Sequence, residues 1–260
     1  MRVTFLGTGT STGVPVIGCR CRVCTSPDPR NQRLRQSVAI ESAGKHFLID
    51  TTPDLRLQLL RHPIPRLDFL LFTHSHADHV MGLDDIRPFN FRQREPIYAY
   101  ASALTAKAVR RAFSYIWDDR SQIGGGKPQL ELHEVDGAFT HDGVDIVPIP
   151  VTHGDWTILG FRIGPFAYIT DTNGVPPSSI ELLRGVEVLA LDGLRVAPPH
   201  PTHFTIGESV HCAQQIGARM TYLIHLTHDV EHAVVDARLP EGVQLAWDGL
   251  QLTFEDSPES

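Results

Sequence analysis

The stretch His74-Ser75-His76-Ala77-Asp78-His79 places four potential metal ligands within six residues, directly after an apolar run that ends at Thr73. His74 and His76 are two residues apart, so both can point the same way while the chain is still extended. Asp78 and His79 belong to the turn that opens the next segment, where they can face a second ion. Neutral imidazoles and one carboxylate suit zinc, manganese or iron. The spacing therefore predicts a metal centre rather than a solvated histidine-rich loop.

A second pattern extends this site along the chain. Six short apolar runs, which we interpret as strands, each end in a potential ligand or a supporting acid. The residues at these ends are Asp50, His74, His153, Asp171, Asp192 and His225. Ligands in α/β sheets gather outside the carboxyl ends of the strands. We therefore expect the six side chains to converge on one rim.

The remaining patterns predict an α/β domain. Apolar, β-branched runs predict strands at 3–6, 37–40, 46–49, 69–73, 97–100, 144–150, 158–163, 166–170, 186–191, 222–224 and 251–254. Helical patterns are fewer, at about 53–61, 102–113, 177–183 and 206–216, and Thr205 is the expected N-cap of the last helix. The length of 260 residues favours one domain over residues 1–255, followed by a tail at 256–260.

Composition and charge restrict the partners. The formal charge of −7 argues against a broadly basic nucleic-acid-binding surface, so we expect no stable nucleic-acid partner. An anionic substrate remains compatible with this charge, because a metal centre dominates its local field. Met1 leads into a strand without an apolar leader segment, and no stretch of about 20 apolar residues occurs. These features predict a cytoplasmic protein that does not enter a membrane.

Three of the four cysteines fall within Gly18-Cys19-Arg20-Cys21-Arg22-Val23-Cys24. This spacing fits a metal site in a reducing compartment better than a disulfide framework. A closed tetrahedral zinc site needs a fourth ligand, and His228 is the candidate. Three thiolates make the zinc a poor Lewis acid, which predicts a structural zinc knuckle within residues 18–35. A redox role is the alternative, whereas Cys212 has the setting of a buried core residue.

The order His-x-His-x-Asp-His, then His, Asp and His, resembles that of the metallo-β-lactamase superfamily over nearly the whole chain. The resemblance implies a four-layer αβ/βα sandwich and a dinuclear site whose ligands are His74, His76, Asp78, His79, His153, Asp171 and His225. By analogy, the first two histidines and His153 hold one ion, Asp78, His79 and His225 hold the other, and Asp171 bridges both. Asp50 would orient a ligand histidine.

The implied charges are consistent with hydrolysis of an anion. Two divalent ions, two aspartates and a bridging hydroxide leave a net charge of about +1 in this arrangement. Metal coordination lowers the pKa of water from 15.7 towards about 7, which supplies a nucleophile. Asp78 with a bridging Asp171 resembles the phosphodiesterase branch. Glyoxalase-type thioester hydrolases share this ligand set, so the ligands alone leave the substrate open.

Three further elements resemble the PhnP family of cyclic phosphate phosphodiesterases. They are Gly7-Thr8-Gly9 with Gly13-Val14-Pro15, the cysteine knuckle, and His225-Leu226-Thr227-His228. The resemblance implies a structural zinc on Cys19, Cys21, Cys24 and His228, manganese or zinc at the catalytic pair, and a small phosphodiester substrate. The stretch 28–35 is similar to an Arg-rich segment that follows the knuckle in this family, with surface salt bridges as the alternative. A homodimer is suggested by the resemblance alone.

Asp78 and His203 are the catalytic candidates. In the phosphodiesterase branch a histidine at the place of His203 faces the metals, where it can protonate the leaving alkoxide or bind the phosphate. A purely structural histidine is the alternative.

Three other functions compete with the phosphodiesterase. A tRNase Z-like endonuclease usually carries an RNA-binding arm, often between the third and fourth ligand motifs, yet only 17 residues separate His153 from Asp171. A thioester or lactone hydrolase would use the same ligands. A non-catalytic metal-binding carrier of this fold is disfavoured by the complete ligand set.

Overall fold

The computed structural model describes residues 1–118, 120 and 126–255. The tail predicted at 256–260 lies outside the described residues. The chain forms two seven-stranded sheets that pack face to face, with helices on the outer surface of each. This arrangement is the predicted four-layer αβ/βα sandwich.

The first sheet has the strand order β14-β1-β2-β3-β4-β5-β6. Its strands are β1 (Arg2–Gly7), β2 (Ser37–Ser42), β3 (Lys45–Ile49), β4 (Phe69–Leu71), β5 (Ile97–Ala101), β6 (Leu130–Glu134) and β14 (Gln251–Thr253). Strands β3 to β6 run parallel, whereas β14, β1, β2 and β3 pair antiparallel. Parallel pairing brings the carboxyl ends of β3 and β4 to the same edge.

The second sheet has the order β13-β12-β11-β10-β9-β8-β7. Its strands are β7 (Phe139–His141), β8 (Val144–His153), β9 (Trp156–Ile163), β10 (Phe166–Ile169), β11 (Val188–Asp192), β12 (Met220–Ile224) and β13 (Val243–Leu245). Strands β10 to β13 are parallel. Because β9 is antiparallel to both neighbours, β8 points the same way as β10.

The helices are α1 (Leu55–Arg61), α2 (Ala77–Val80), α3 (Arg87–Gln93), α4 (Ala103–Ala112), α5 (Pro177–Leu182), α6 (Ile206–Ile216) and α7 (His232–Asp236). Helix α6 begins at the predicted N-cap, where Thr205 and Glu208 form a capping box. Among the described residues, no helix combines the length and apolar character needed to cross a bilayer.

Alternation along the central strands explains the layers. In β11, Val188 and Ala190 face the opposite sheet, whereas Leu189 and Leu191 pack against the outer helices. Successive side chains of a strand point to opposite faces, so a strand that is covered on both sides is apolar throughout. Every residue of β11 is buried, and only its last residue, Asp192, is charged. The apolar strands therefore end where the polar rim begins.

The Arg-rich segment is more deeply buried than a surface role predicts. Arg33 is 2% exposed and donates to Thr8 Oγ1 at 2.7 Å and to the Ala246 carbonyl at 2.6 Å. Its second terminal nitrogen lies 2.9 Å from Nδ1 of His232. This side chain ties the segment after the cysteines to the C-terminal part of the chain. Half-buried salt bridges occur beside it, at Arg30–Asp28 and Arg35–Asp54.

Candidate metal centre

One group of imidazoles lies where β4 and β8 end. His74 follows β4, His76 precedes the first residue of α2, and His153 is the last residue of β8. Their potential ligand atoms all lie within 4.8 Å of one another, with His74 Nε2 and His76 Nδ1 3.0 Å apart. Burial lowers the pKa of His74 and of His153. Both are therefore neutral at pH 7, which is the form that binds metals.

A second group is formed by Asp78, His79, Asp171 and His225, all buried. Nε2 of His79 lies 3.3 Å from Oδ2 of Asp171 and 3.4 Å from Asp78. Nε2 of His225 lies 3.3 Å from Oδ1 of Asp171. The two oxygens of Asp171 thus face different histidines, and the same carboxylate also approaches His153. This is the placement expected of a bridging ligand.

These separations fit the donors around divalent ions. Two ligands at about 2.1 Å from a tetrahedral ion are separated by about 3.4 Å. The distances of 3.3 and 3.4 Å match this value. Both ring nitrogens of His225 are buried without a hydrogen-bond partner, so Nε2 is free to coordinate. All seven predicted ligands are therefore brought together in two groups, and the donor set fits two ions such as zinc or manganese.

The two aspartates of the second group are ionised. Burial opposes the charged form of Asp171, but His225 and His79 hold its pKa well below the usual range. For Asp78, burial is likewise outweighed by His79, and its pKa is lowered. The group therefore carries two carboxylates at neutral pH, which favours cation binding.

Carboxylates behind the histidines fix their orientation. Asp50, fully buried, accepts hydrogen bonds from the backbone N–H and hydroxyl of Thr73 at 2.9 and 2.8 Å, and its Oδ2 lies 2.7 Å from Nδ1 of His79. This contact places the proton of His79 on Nδ1. The lone pair of Nε2 is then available to bind a metal. The structure thus places Asp50 against Nδ1 of His79, and its role in orienting a metal ligand stays a prediction.

Asp192 lies behind the rings of His225 and His203, at longer distances than Asp50 from His79. Its Oδ1 lies 3.3 Å from Nδ1 of His225, and its Oδ2 lies 3.4 Å from Nδ1 of His203. The backbone N–H of Phe204 donates to the same carboxylate at 3.0 Å. The sequence placed Asp192 on the rim, but its contact with both histidines depends on the fold of the 193–205 segment.

His203, the second catalytic candidate, lies among the histidines of both groups. Its ring stacks on His225 with centroids 4.6 Å apart and planes 13° apart, and the ring of His153 is 5.0 Å away. With Asp171 and His153 it forms a further set of mutually close donor atoms. His203 is therefore placed to contact a molecule that is bound at either group.

Two residues of the site escaped the sequence patterns. Gln36, fully buried before β2, has its amide nitrogen 2.7 Å from His79 Nε2 and 3.3 Å from Asp171. Trp156, at the start of β9, lies 5.2 Å from the ring of His76. Neither residue belongs to a ligand motif, so no spacing rule identifies them.

Three residues of the rim have strained backbones. Asp50, Asp171 and His225 have φ values of 64°, 55° and 62°. Residues other than glycine in this left-handed region cost of order 1–3 kcal/mol each and cluster at functional sites. Each follows a parallel strand and turns its side chain sharply towards the rim.

The predicted knuckle is also assembled. The sulfurs of Cys19, Cys21 and Cys24 lie 3.3, 3.6 and 3.5 Å from Nδ1 of His228. Zinc bonds of about 2.3 Å to sulfur and about 2.1 Å to nitrogen separate such atoms by about 3.6 Å in a tetrahedron. A backbone hydrogen bond from Cys24 lowers the pKa of the Cys21 thiol to about 6. The four residues fit a closed zinc site, whereas Cys212 is a buried core residue of α6.

Comparisons with known proteins identify the family of the chain. Residues 45–226 match the β-lactamase superfamily domain. The crystal structure of a new diphosphatase from the PhnP family is 44% identical, with 98% of each chain covered and a TM-score of 0.90. The chain belongs to the PhnP family of the β-lactamase superfamily. Its fold is that of the metallo-β-lactamase-fold hydrolases.

Other relatives of this PhnP-family chain carry different names. An octanoyltransferase from Porphyromonas gingivalis (strain ATCC BAA-308 / W83) is 38% identical over 98% of this chain, but the match covers 52% of that protein. The chain spans about half the length of these curated relatives. Zinc-bound PqqB from Methylobacterium extorquens shares the fold, with 21% identity, a TM-score of 0.74, and 98% and 100% of the two chains covered.

Proposed function

We propose that the protein is a dinuclear metal-dependent hydrolase of small phosphoric diesters or of a diphosphate linkage. The observation that carries the proposal is Asp171, whose two oxygens face His79 and His225 while the carboxylate also approaches His153. A carboxylate shared in this way suits two adjacent ions. Paired ions, when bound, lower the pKa of water and stabilise the attacking and leaving oxygens of a displacement at phosphorus.

The charge of the centre supports an anionic substrate. Five imidazoles, which bind metals in their neutral form, and two carboxylates would surround two divalent ions, which leaves about two positive charges for a phosphate to neutralise. This local excess operates against the chain's net charge of −7. The diphosphatase relative supports the same phosphate class.

The side chains of this protein have separable tasks in the proposed reaction. Asp78, His79 and the other ligands would hold the ions, and Asp50 holds the tautomer of His79. His203, which stacks on His225 and lies near His153, is placed to donate a proton to the leaving oxygen or to hold a phosphate oxygen. Nδ1 of His203 lies 3.4 Å from Asp192, so Nε2 is the ring nitrogen left for either task.

The segment between His153 and Asp171 favours a small substrate over RNA. It consists of β9 and β10, which pair antiparallel across a short turn at Gly164 and Pro165. No RNA-binding arm protrudes at this place, which is fully within the described residues. A thioester substrate is the second candidate, because the octanoyltransferase relative has a name that refers to acyl transfer.

The test is a substrate screen with protein of measured zinc and manganese content. The substrates are a cyclic phosphate, bis-p-nitrophenyl phosphate, a nucleoside diphosphate ester, a structured RNA and an octanoyl thioester. We expect turnover of small phosphorus compounds that Asp171→Ala abolishes. Turnover of the thioester or the RNA alone, or no metal-dependent turnover of any phosphate, would refute the proposal.

A further inference from the structure

A pocket opens beside the first group of imidazoles. It has a volume of about 370 Å³ and is lined by His76 and His153, by the hairpin residues Asp155 and Trp156, and by Pro201 and Thr202. Two predicted metal ligands thus form part of its lining. A molecule in this pocket would lie directly against the candidate metal centre.

Trp156 provides the pocket with an exposed aromatic ring. It is the first residue of β9, paired with His153 across the hairpin, and it is 52% exposed. The strand is buried from Ile158 to Phe161, whereas its first two residues are exposed. The indole is therefore not part of the hydrophobic core. Its ring is tilted by 41° against His76, which covers only part of its surface. A large aromatic ring is therefore presented to whatever enters the pocket.

The walls are held in place before any molecule binds. The side chain of Asn173 accepts a hydrogen bond from the Gly154 N–H at 3.1 Å and donates to the Pro201 carbonyl at 2.7 Å. Gly154 has a φ of +59°, and a Cβ there would lie 3.0 Å from Thr202. The hairpin tip and the opposite wall are thus linked through one side chain. Preorganised walls reduce the entropy cost of binding.

We propose that this pocket binds a planar aromatic ring of the substrate, such as a nucleobase, while the attached phosphate lies at the metal centre. The inference rests on the proposed function. Aromatic side chains stack on any base because every base has a π-face. Asp155, an acceptor that lines the same pocket, disfavours a phosphate inside the pocket itself. It favours a group that carries N–H or O–H donors. The substrate class is therefore a nucleotide ester or a nucleoside diphosphate derivative.

Calorimetric titration of the metal-loaded protein with adenosine 5′-monophosphate and with ribose 5-phosphate tests the pocket directly. Stacking contributes about 1–3 kcal/mol per base, so Trp156→Ala should weaken binding of the nucleotide roughly 5- to 150-fold. Binding of ribose 5-phosphate should stay within about twofold. Trp156→Phe should retain most of the affinity, and Trp247→Phe, remote from the pocket, should retain all of it.

The outcomes separate this inference from the proposed function. Equal wild-type affinity for the two ligands, or an equal loss of both in Trp156→Ala, would overturn the ring pocket and leave only a role in packing against His76. Metal analysis of each variant shows whether His76 still binds. Failure of phosphate hydrolysis with preserved nucleotide preference would refute the function and leave the pocket standing.

The side-chain amide of Gln36 is buried beside the second group of ligands. Its carboxamide oxygen is buried and has no hydrogen-bond partner, whereas its nitrogen contacts His79 Nε2 and Asp171. Asp50 holds the proton of His79 on Nδ1, so the nitrogen that faces Gln36 is the one available to a metal. A divalent ion repels the NH2 end of the amide and attracts its oxygen. The two ends have the same shape, so rotation of the amide exchanges them in place.

We infer that Gln36 provides its carboxamide oxygen as an additional ligand to the ion held by Asp78, His79, Asp171 and His225. Carbonyl oxygens suit manganese and magnesium, whereas imidazole and thiolate suit zinc. Gln36 therefore increases the preference of this group for manganese over zinc.

Competition with a chromogenic chelator measures the affinity for each metal without reference to turnover. Gln36→Leu should lower manganese affinity roughly 10-fold or more and zinc affinity less, while Gln36→Glu restores manganese binding. Gln58→Leu is the control for loss of a buried amide, because Gln58 contacts Thr52 and the Arg35 carbonyl but none of the metal-ligand side chains. Unchanged manganese affinity in Gln36→Leu would overturn the inference. Equal losses for both metals without rescue by Gln36→Glu would also overturn it, by showing a packing role.

Discussion

Replacing Asp50 with asparagine tests how the metal centre is organised, because the side chain keeps its shape and loses one acceptor. Oδ1 of Asp50 accepts a hydrogen bond from the Thr73 N–H. Oδ2 accepts from the Thr73 hydroxyl and from Nδ1 of His79. If the amide oxygen faces His79, the NH2 group opposes the Thr73 N–H. If it faces Thr73, the NH2 group opposes Nδ1 and moves the proton of His79 to Nε2, the atom that should bind metal.

Either orientation carries a cost that can be measured. An unpaired buried N–H destabilises the fold by about 1–3 kcal/mol. Loss of a partner that orients a ligand histidine typically lowers metal affinity 10- to 100-fold, which corresponds to about 1.4–2.7 kcal/mol. We expect Asp50→Asn to show both effects, with the larger loss at the ion bound by His79.

Chelator competition gives the affinities, and thermal unfolding with and without EDTA gives the stability. Asp68→Asn is the matched control, since Asp68 is a buried carboxylate that accepts from the His46 N–H at the opposite end of the same strands. It should lower stability without changing metal affinity. Wild-type affinity for both ions in Asp50→Asn would refute the role assigned to Asp50.

Three further predictions concern other parts of the molecule. Asp171→Ala should bind at least one metal equivalent less and lose turnover while its circular dichroism spectrum is retained; full activity would contradict the bridging role. Cys21→Ser should release about one zinc equivalent and lower the melting temperature, because zinc binding is coupled to folding; retained zinc would count against the knuckle. Burial and then Arg33 lower the pKa of His232 to about 4, so the unfolded state binds the proton first and stability should fall as pH drops from about 6.5 to 4. In His232→Gln, which still accepts from Arg33 but does not titrate, denaturant unfolding across this range should show a shallower decline, and equal slopes would disprove the assignment.

The sequence was informative wherever chemistry and local pattern coincide. The strand-end positions of His74, Asp171 and His225 predicted one rim because ligands gather outside the carboxyl ends of the strands in α/β sheets. Helices α2, α3 and α7 were not predicted, because a helical period is weak over four to seven residues. Of the equally short helices, only α1 and α5 were recognised.

Contacts that depend on distant segments remained hidden. Gln36 and Trp156 reach the centre through the packing of β2 and β9, and neither has a fixed spacing from a ligand. Arg33 reads as a surface cation in the sequence, yet the fold supplies three acceptors for it in the interior. Such pairings are properties of the tertiary structure and leave no local pattern.

The left-handed backbone at Asp50, Asp171 and His225 links metal supply to the amount of protein in the cell. Three such residues together lower the free energy of unfolding by about 3–9 kcal/mol. This is a large part of the roughly 5–15 kcal/mol by which proteins are typically stable. Ion binding to the folded chain offsets this deficit by mass action. Metal-starved cells should therefore hold less of the protein as well as a less active form, because a larger unfolded fraction is exposed to proteases.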